Sequence, residues 1–169
     1  MDNELAQLLG RELGDELAQA FERIQHCLGQ LSENQVWWRP TDAMNSIGNL
    51  LLHLAGNVRQ WIVAGVGGAT DNRNRPAEFS ERGPIPKGDL LRKLEVVIAE
   101  AKKAMTGRTP QEWMRLRRIQ AHDVTGFVAA LHSVAHLRGH TQEIIHMTRA
   151  QLGDRYRFAW VPATPEQGA

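Results

Sequence analysis

The chain has 169 residues, with 20 Lys and Arg against 19 Asp and Glu. So even a balance gives no electrostatic ground for a nucleic-acid or anionic membrane partner, and no apolar run approaches the roughly 20 residues that cross a bilayer. One cysteine, Cys27, excludes an internal disulfide, and the uniform composition predicts a single domain over residues 1–169.

The N-terminal "MDNELAQLLGRELGDELAQAF" is acidic and amphipathic, without the basic and apolar regions of a secretory signal. With the lone cysteine, this predicts a cytoplasmic protein. Leu5, Leu9, Leu13, Leu17, Phe21, Ile24, Leu28 and Leu31 step by three or four and mark the buried stripe of a first helix. "SENQVWWRPTDAMNS" interrupts it, and Trp37 and Trp38 read as a plug fixing the turn. A second helix fits Ile47 to about Ala64, capped by Ser46 or Asn45 and stopped by "GVGG". The connection over residues 65–88 is rich in Pro, Gly and Asn and long for a helical protein, which marks it as a functional loop.

A third helix fits Asp89 to Met105, and a short turn starts at Gln111. "RLRRIQAHD" reads as solvated surface or loop. The fourth helix is expected from Asp123, as its N-cap, to Leu152, with Val124, Phe127, Val128, Leu131, Val134 and Ala135 as its core stripe. No alternating strand pattern of useful length is present, "RYRFAW" being the best strand candidate. Four long amphipathic segments predict an all-α four-helix bundle with one long crossover connection.

The stretch "HSVAHLRGHTQEIIH", residues 132–146, holds four of the seven histidines. His132, His136 and His140 recur every fourth residue, along a polar row displaced from the expected core stripe. Neutral imidazole is the commonest transition-metal ligand, and two histidines four apart on a helix can converge on one ion. Such a pair needs a third ligand. His53, mid-helix at an expected helix–helix seam, is the candidate, and the spacing leaves open which pair of the row joins it. A bland reading stands beside this one: solvated or hydrogen-bonded seam histidines.

"SIGNLLLHLAGNVRQWI", preceded by "WWRPTDAMN" and followed by "RPAEFSERGPIPK", resembles the second-helix region of the DinB-like (DinB/YfiT) superfamily. "HLRGHTQEIIHMTR" is similar to its last-helix motif, and the likeness spans nearly the whole chain in order and spacing, nearest a bacterial branch of uncharacterised function. The resemblance implies a four-helix bundle and a metal site of one histidine from the second helix and two from the fourth. On this chain these are His53, His136 and His140, with His132 a neighbour or pocket wall. The chain departs from the motif at Gln142-Glu143, where the family has Gly-Gln. Glu143 could therefore orient a ligand histidine, hold a water or become a fourth ligand. Relatives that pair through helix faces imply a homodimer.

Three neutral histidines leave a dication with open positions, the arrangement of catalytic zinc. Such an ion can ionise a bound thiol or water. Zinc is the first expectation and nickel the second. The resemblance implies a metal-dependent enzyme acting on a small molecule, with a thiol-dependent transferase using a low-molecular-weight thiol as its leading form. The alternatives are a metal-dependent hydrolase and a non-catalytic, metal-stabilised helical dimer or interaction module. Asn57 and Arg59 are the candidate substrate contacts. Glu143-x-x-His146 has no second copy for a di-iron site, no Gly-Lys-Ser/Thr follows "GVGG", and Cys27 reads as a buried small hydrophobe.

Overall fold

The structure is a computed structural model that describes residues 2–161. Its order is α1 (Asn3–Gln30), α2 (Glu33–Trp37), α3 (Ile47–Val58) continued by a π-helical segment (Arg59–Ala64), and α4 (Arg75–Ser80). Then come α5 (Lys87–Met105), α6 (Pro110–Met114), β1 (Leu116–Ile119), β2 (His122–Thr125) and α7 (Gly126–Leu152). The described chain is mostly helical. None of its helices is long and apolar enough to cross a membrane.

The three-to-four spacing in α1 buries Leu13, Leu17, Phe21, Ile24 and Leu28 against both α5 and α7. Helix α3 packs against the same two partners, so the core lies between α1, α3, α5 and α7. Ser46 starts α3 through a reciprocal cap with Asn49, satisfying backbone donors that the helix cannot use itself. Trp37 plugs the turn before it: its indole N–H donates to the Ile85 carbonyl at 3.0 Å. A Cβ at Gly48 would come within 2.9 Å of that ring, so only glycine leaves it room.

Three expectations are corrected. The segment "LRRIQAHDVT" is an antiparallel hairpin, pairing Leu116 with Thr125 and Ile119 with His122. Its turn uses Gln120 and Ala121 at φ 48° and 67°, without the Asn-Gly that usually announces such a turn. Asp123 therefore lies in β2, its carboxylate on Arg118, and α7 begins at Gly126 with the Thr125 side chain accepting from the Val128 N–H. "RYRFAW" begins in a 3₁₀ turn that ends at Arg155 and pairs in no strand among the described residues.

The buried face of α7 is also rotated from the expected one. Val128 and Leu131 are about half exposed, whereas Ala129, Ala130, Ser133, Val134, Leu137, Thr141, Ile144 and Thr148 are buried. The hydroxyls of Thr141 and Thr148 donate to the carbonyls four residues back, so these polar side chains enter the core satisfied.

Candidate metal centre

His53 sits mid-way along α3 and is 5% exposed, while His136 and His140 stand one turn apart on the facing side of α7, half-buried. The packing of α3 on α7 brings the three together. Their ring centroids are 5.0 Å (His53–His136), 5.4 Å (His53–His140) and 4.5 Å (His136–His140) apart. The Nε2 atoms of His53 and His136 are separated by 2.8 Å. One nitrogen from each histidine lies within 4.8 Å of the other two.

This cluster fits a metal ion. Tetrahedral zinc with Zn–N near 2.0–2.1 Å wants ligand nitrogens about 3.3 Å apart. The 2.8 Å between the Nε2 atoms of His53 and His136 is shorter than that and 4.8 Å bounds the widest separation, so the three nitrogens are spaced on the scale of one ion's ligands. One donor, His136, is in the protonation state a ligand needs. Burial, reinforced by the nearby charges of His140, His53, His132 and Arg73, pushes His136 down to about 4, so it is neutral near pH 7.

Each flanking histidine is oriented through its other nitrogen. Nδ1 of His53 is 3.0 Å from Glu78 Oε2, and Nδ1 of His140 is 2.6 Å from Glu143 Oε2. A carboxylate only accepts, so His140 Nδ1 carries its ring's proton, while His53 Nδ1 stands 3.0 Å from both an acceptor, Glu78 Oε2, and a donor, Arg73 Nη2. Glu143 thus meets the far edge of the His140 ring. His132 does not join the cluster. It stacks on His136 at 5.9 Å and 12°, with its ring against Trp61 at 4.2 Å, and burial and the charge of His122 lower its pKa.

Of the two candidate substrate contacts, Asn57 is buried in the seam, where its Oδ1 accepts from the Ser133 hydroxyl at 2.9 Å and ties α3 to α7. Arg59 opens the π-helical segment, pairs with Glu100 at 2.8 Å and lines a cavity away from the histidines.

Glu78 and Arg73 are the functional residues that sequence reasoning passed over. Both come from the long connection, which contains α4. Arg73 donates Nε to Glu78 Oε1 at 2.7 Å and Nη2 to Oε2 at 2.8 Å, with side chains only 4% and 9% exposed. Burial pushes the Glu78 carboxyl up, but hydrogen bonds from Arg73 and His53 outweigh it and hold the group below its ordinary value. The length of the connection and an Arg and a Glu inside "RNRPAEF" were the available signal. A cavity of about 830 Å³ lies beyond this pair, between α3, α5 and the connection; Arg73 and Glu78 line it, and the histidines do not.

The family model for DUF1572, described as a protein of unknown function, matches residues 6–164. The chain belongs to the DUF1572 family. Its match spans α1 through α7, so all three histidines and the Arg73–Glu78 pair fall inside the DUF1572 region. No curated protein matches this DUF1572 chain.

Proposed function

We propose that this protein is a metal-dependent enzyme of the DinB-like kind, a four-helix bundle formed by α1, α3 with its π segment, α5 and α7. In this reading His53, His136 and His140 hold one divalent ion, zinc first and nickel second. The observation that carries it is the convergence of three imidazoles from two helices, two of them backed by carboxylates at the remote nitrogen. The π-helical segment Arg59–Ala64, which continues α3 beyond His53, adds support, because π turns cluster at functional sites.

An ion held by neutral imidazoles supplies a Lewis acid that ionises a thiol or a water at neutral pH. The chain's own residues do the rest. Glu143 orients His140, and the His132–Trp61 stack walls the side next to His136. Asn57 holds the seam through Ser133 and so keeps α3 and α7 at the spacing the ligands need. We assign thiol transfer to a small electrophile as the reaction, with hydrolysis as the alternative at the same site. The half-exposed Val128 and Leu131 on α7 favour pairing of two copies through that face.

The test is an assay of zinc- and nickel-loaded protein with a low-molecular-weight thiol and a chromogenic electrophile, beside His136→Ala. Metal-dependent turnover lost in the variant supports the transferase. Metal binding without turnover of either thiol or ester substrates leaves a structural metal site and rejects the enzyme.

A further inference from the structure

The buried ion pair beside His53 has no adequate explanation in stability. Taking a guanidinium and a carboxylate out of water costs several kcal/mol each, and an apolar pair of similar volume usually does as well or better. Yet the fold goes to some length to hold Arg73 and Glu78 there. The Asn49 amide donates to the backbone carbonyls of Glu78 and Glu81, both at 2.9 Å. Arg73 Nη1 donates to Gln60 Oε1 at 3.0 Å, and Gln60 in turn donates to Asp71 at 2.7 Å. A Cβ at position 56 would lie 2.0 Å from Glu78 Oε1, so Gly56 on α3 makes the space the carboxylate occupies.

We propose that Glu78 and Arg73 are the positioning residues of the histidine centre: their buried ion pair locks His53 in the Nδ1–H tautomer, with its Nε2 lone pair aimed at His136 and His140. The inference rests on the metal reading above and deepens it. Arg73 Nη2, a donor, also stands 3.0 Å from His53 Nδ1, but its shorter, charge-assisted bond is the 2.8 Å one to Glu78 Oε2. With the Arg73 N–H spent there, Glu78 Oε2 accepts the His53 Nδ1 proton, which fixes the ring's tautomer and its rotation together. Arg73 takes both carboxylate oxygens, so Glu78 stays on the far side of the ring and does not enter the ligand set as an anion. The site keeps an all-imidazole character and the net positive charge that an anionic thiolate requires. In metal-free protein the same tautomer lets His136 Nε2–H donate to His53 Nε2 at 2.8 Å.

Two measurements test this. The first is ¹⁵N NMR of the imidazoles in wild-type protein, metal-free and with zinc. His53 is expected as Nδ1–H in both, and an Nε2–H tautomer in the metal-free protein, or zinc bound through Nδ1, overturns the proposal. The second is zinc affinity by competition with a chromophoric chelator. Glu78→Ala is expected to weaken zinc about 10–100-fold, while Glu78→Gln, which keeps an acceptor oxygen, recovers part of the loss. Unchanged affinity in Glu78→Ala overturns the proposal. If wild-type protein takes up no zinc, the metal reading fails, and the tautomer of metal-free His53 still decides the role of the pair. The same spectrum decides it if Glu78→Ala does not fold.

Discussion

The Nε2 atoms of His53 and His136 face one another at 2.8 Å although 83 positions separate them in the chain. At that distance, and with His136 neutral, the gap holds a single proton or, in the proposed metal-bound state, an ion. An ion that binds only the folded chain stabilises it by RT ln(1 + [L]/Kd), about 2.7 kcal/mol at a hundredfold excess over Kd. Zinc should therefore raise the melting temperature in proportion to the logarithm of its concentration, and a chelator should reverse the rise. Calorimetry of wild type beside His136→Ala checks this, the variant showing no zinc response.

Metal-free protein should lose stability in acid. His136 has an ordinary pKa of 6.5 and is pushed down to about 4 in the fold, by burial first and then by neighbouring charge. Between those values the unfolded chain binds the proton and the folded chain does not. The contribution is thus complete above about pH 6.5 and fades as pH falls through 4. Glu78, held below its ordinary 4.5 because its hydrogen bonds outweigh burial, adds a loss of the same sign at lower pH. Urea midpoints should decline from pH 6.5 to pH 4; a flat profile over that window contradicts this.

The seam bond between Asn57 and Ser133 should matter to the fold. Ser133→Ala leaves the buried Asn57 Oδ1 without the hydroxyl that it accepts from. An unsatisfied buried acceptor costs about 1–3 kcal/mol. Denaturant unfolding should read a loss in that range, and a change below about 0.5 kcal/mol would mean water replaces the hydroxyl.

Trp113 is fully buried, and its indole N–H donates to the Ala6 carbonyl at 3.0 Å, fastening α6 to α1. Trp113→Ala should cost about 3–5 kcal/mol through the cavity it opens and the carbonyl it strands. The exposed Trp38, 46% accessible, should tolerate the same change with little loss. Paired equilibrium unfolding curves compare them.

Thr125→Ala should destabilise by about 0.5–2 kcal/mol, since Thr125 caps α7. Asp123→Ala removes only an exposed pair with Arg118 and should cost about 0–1 kcal/mol. A larger loss at Asp123 than at Thr125 would place the start of α7 wrongly.

The helices were legible because Leu13, Leu17, Phe21 and Ile24 repeat at helical spacing, and the same spacing put His136 and His140 on one side of α7. The hairpin escaped notice because Gln120 and Ala121 adopt positive φ without glycine or asparagine. The face of α7 was misjudged because hydropathy favours Val128 and Leu131 over Ser133, Thr141 and Thr148. Those three enter the core through hydrogen bonds that no periodicity reveals. Glu78 and Arg73 lay in a connection with no periodicity at all. Their partner, His53, is 25 and 20 positions away, and only the docking of α4 on α3 makes them neighbours.

The most direct test of the account is elemental analysis of tag-free wild-type protein beside His140→Ala. The account predicts near one equivalent of zinc or nickel per chain in the wild type, lost in the variant while its helical circular dichroism persists. No metal in either protein, with melting temperatures unmoved by added divalent ions, would contradict it and leave the three histidines as a polar seam between α3 and α7.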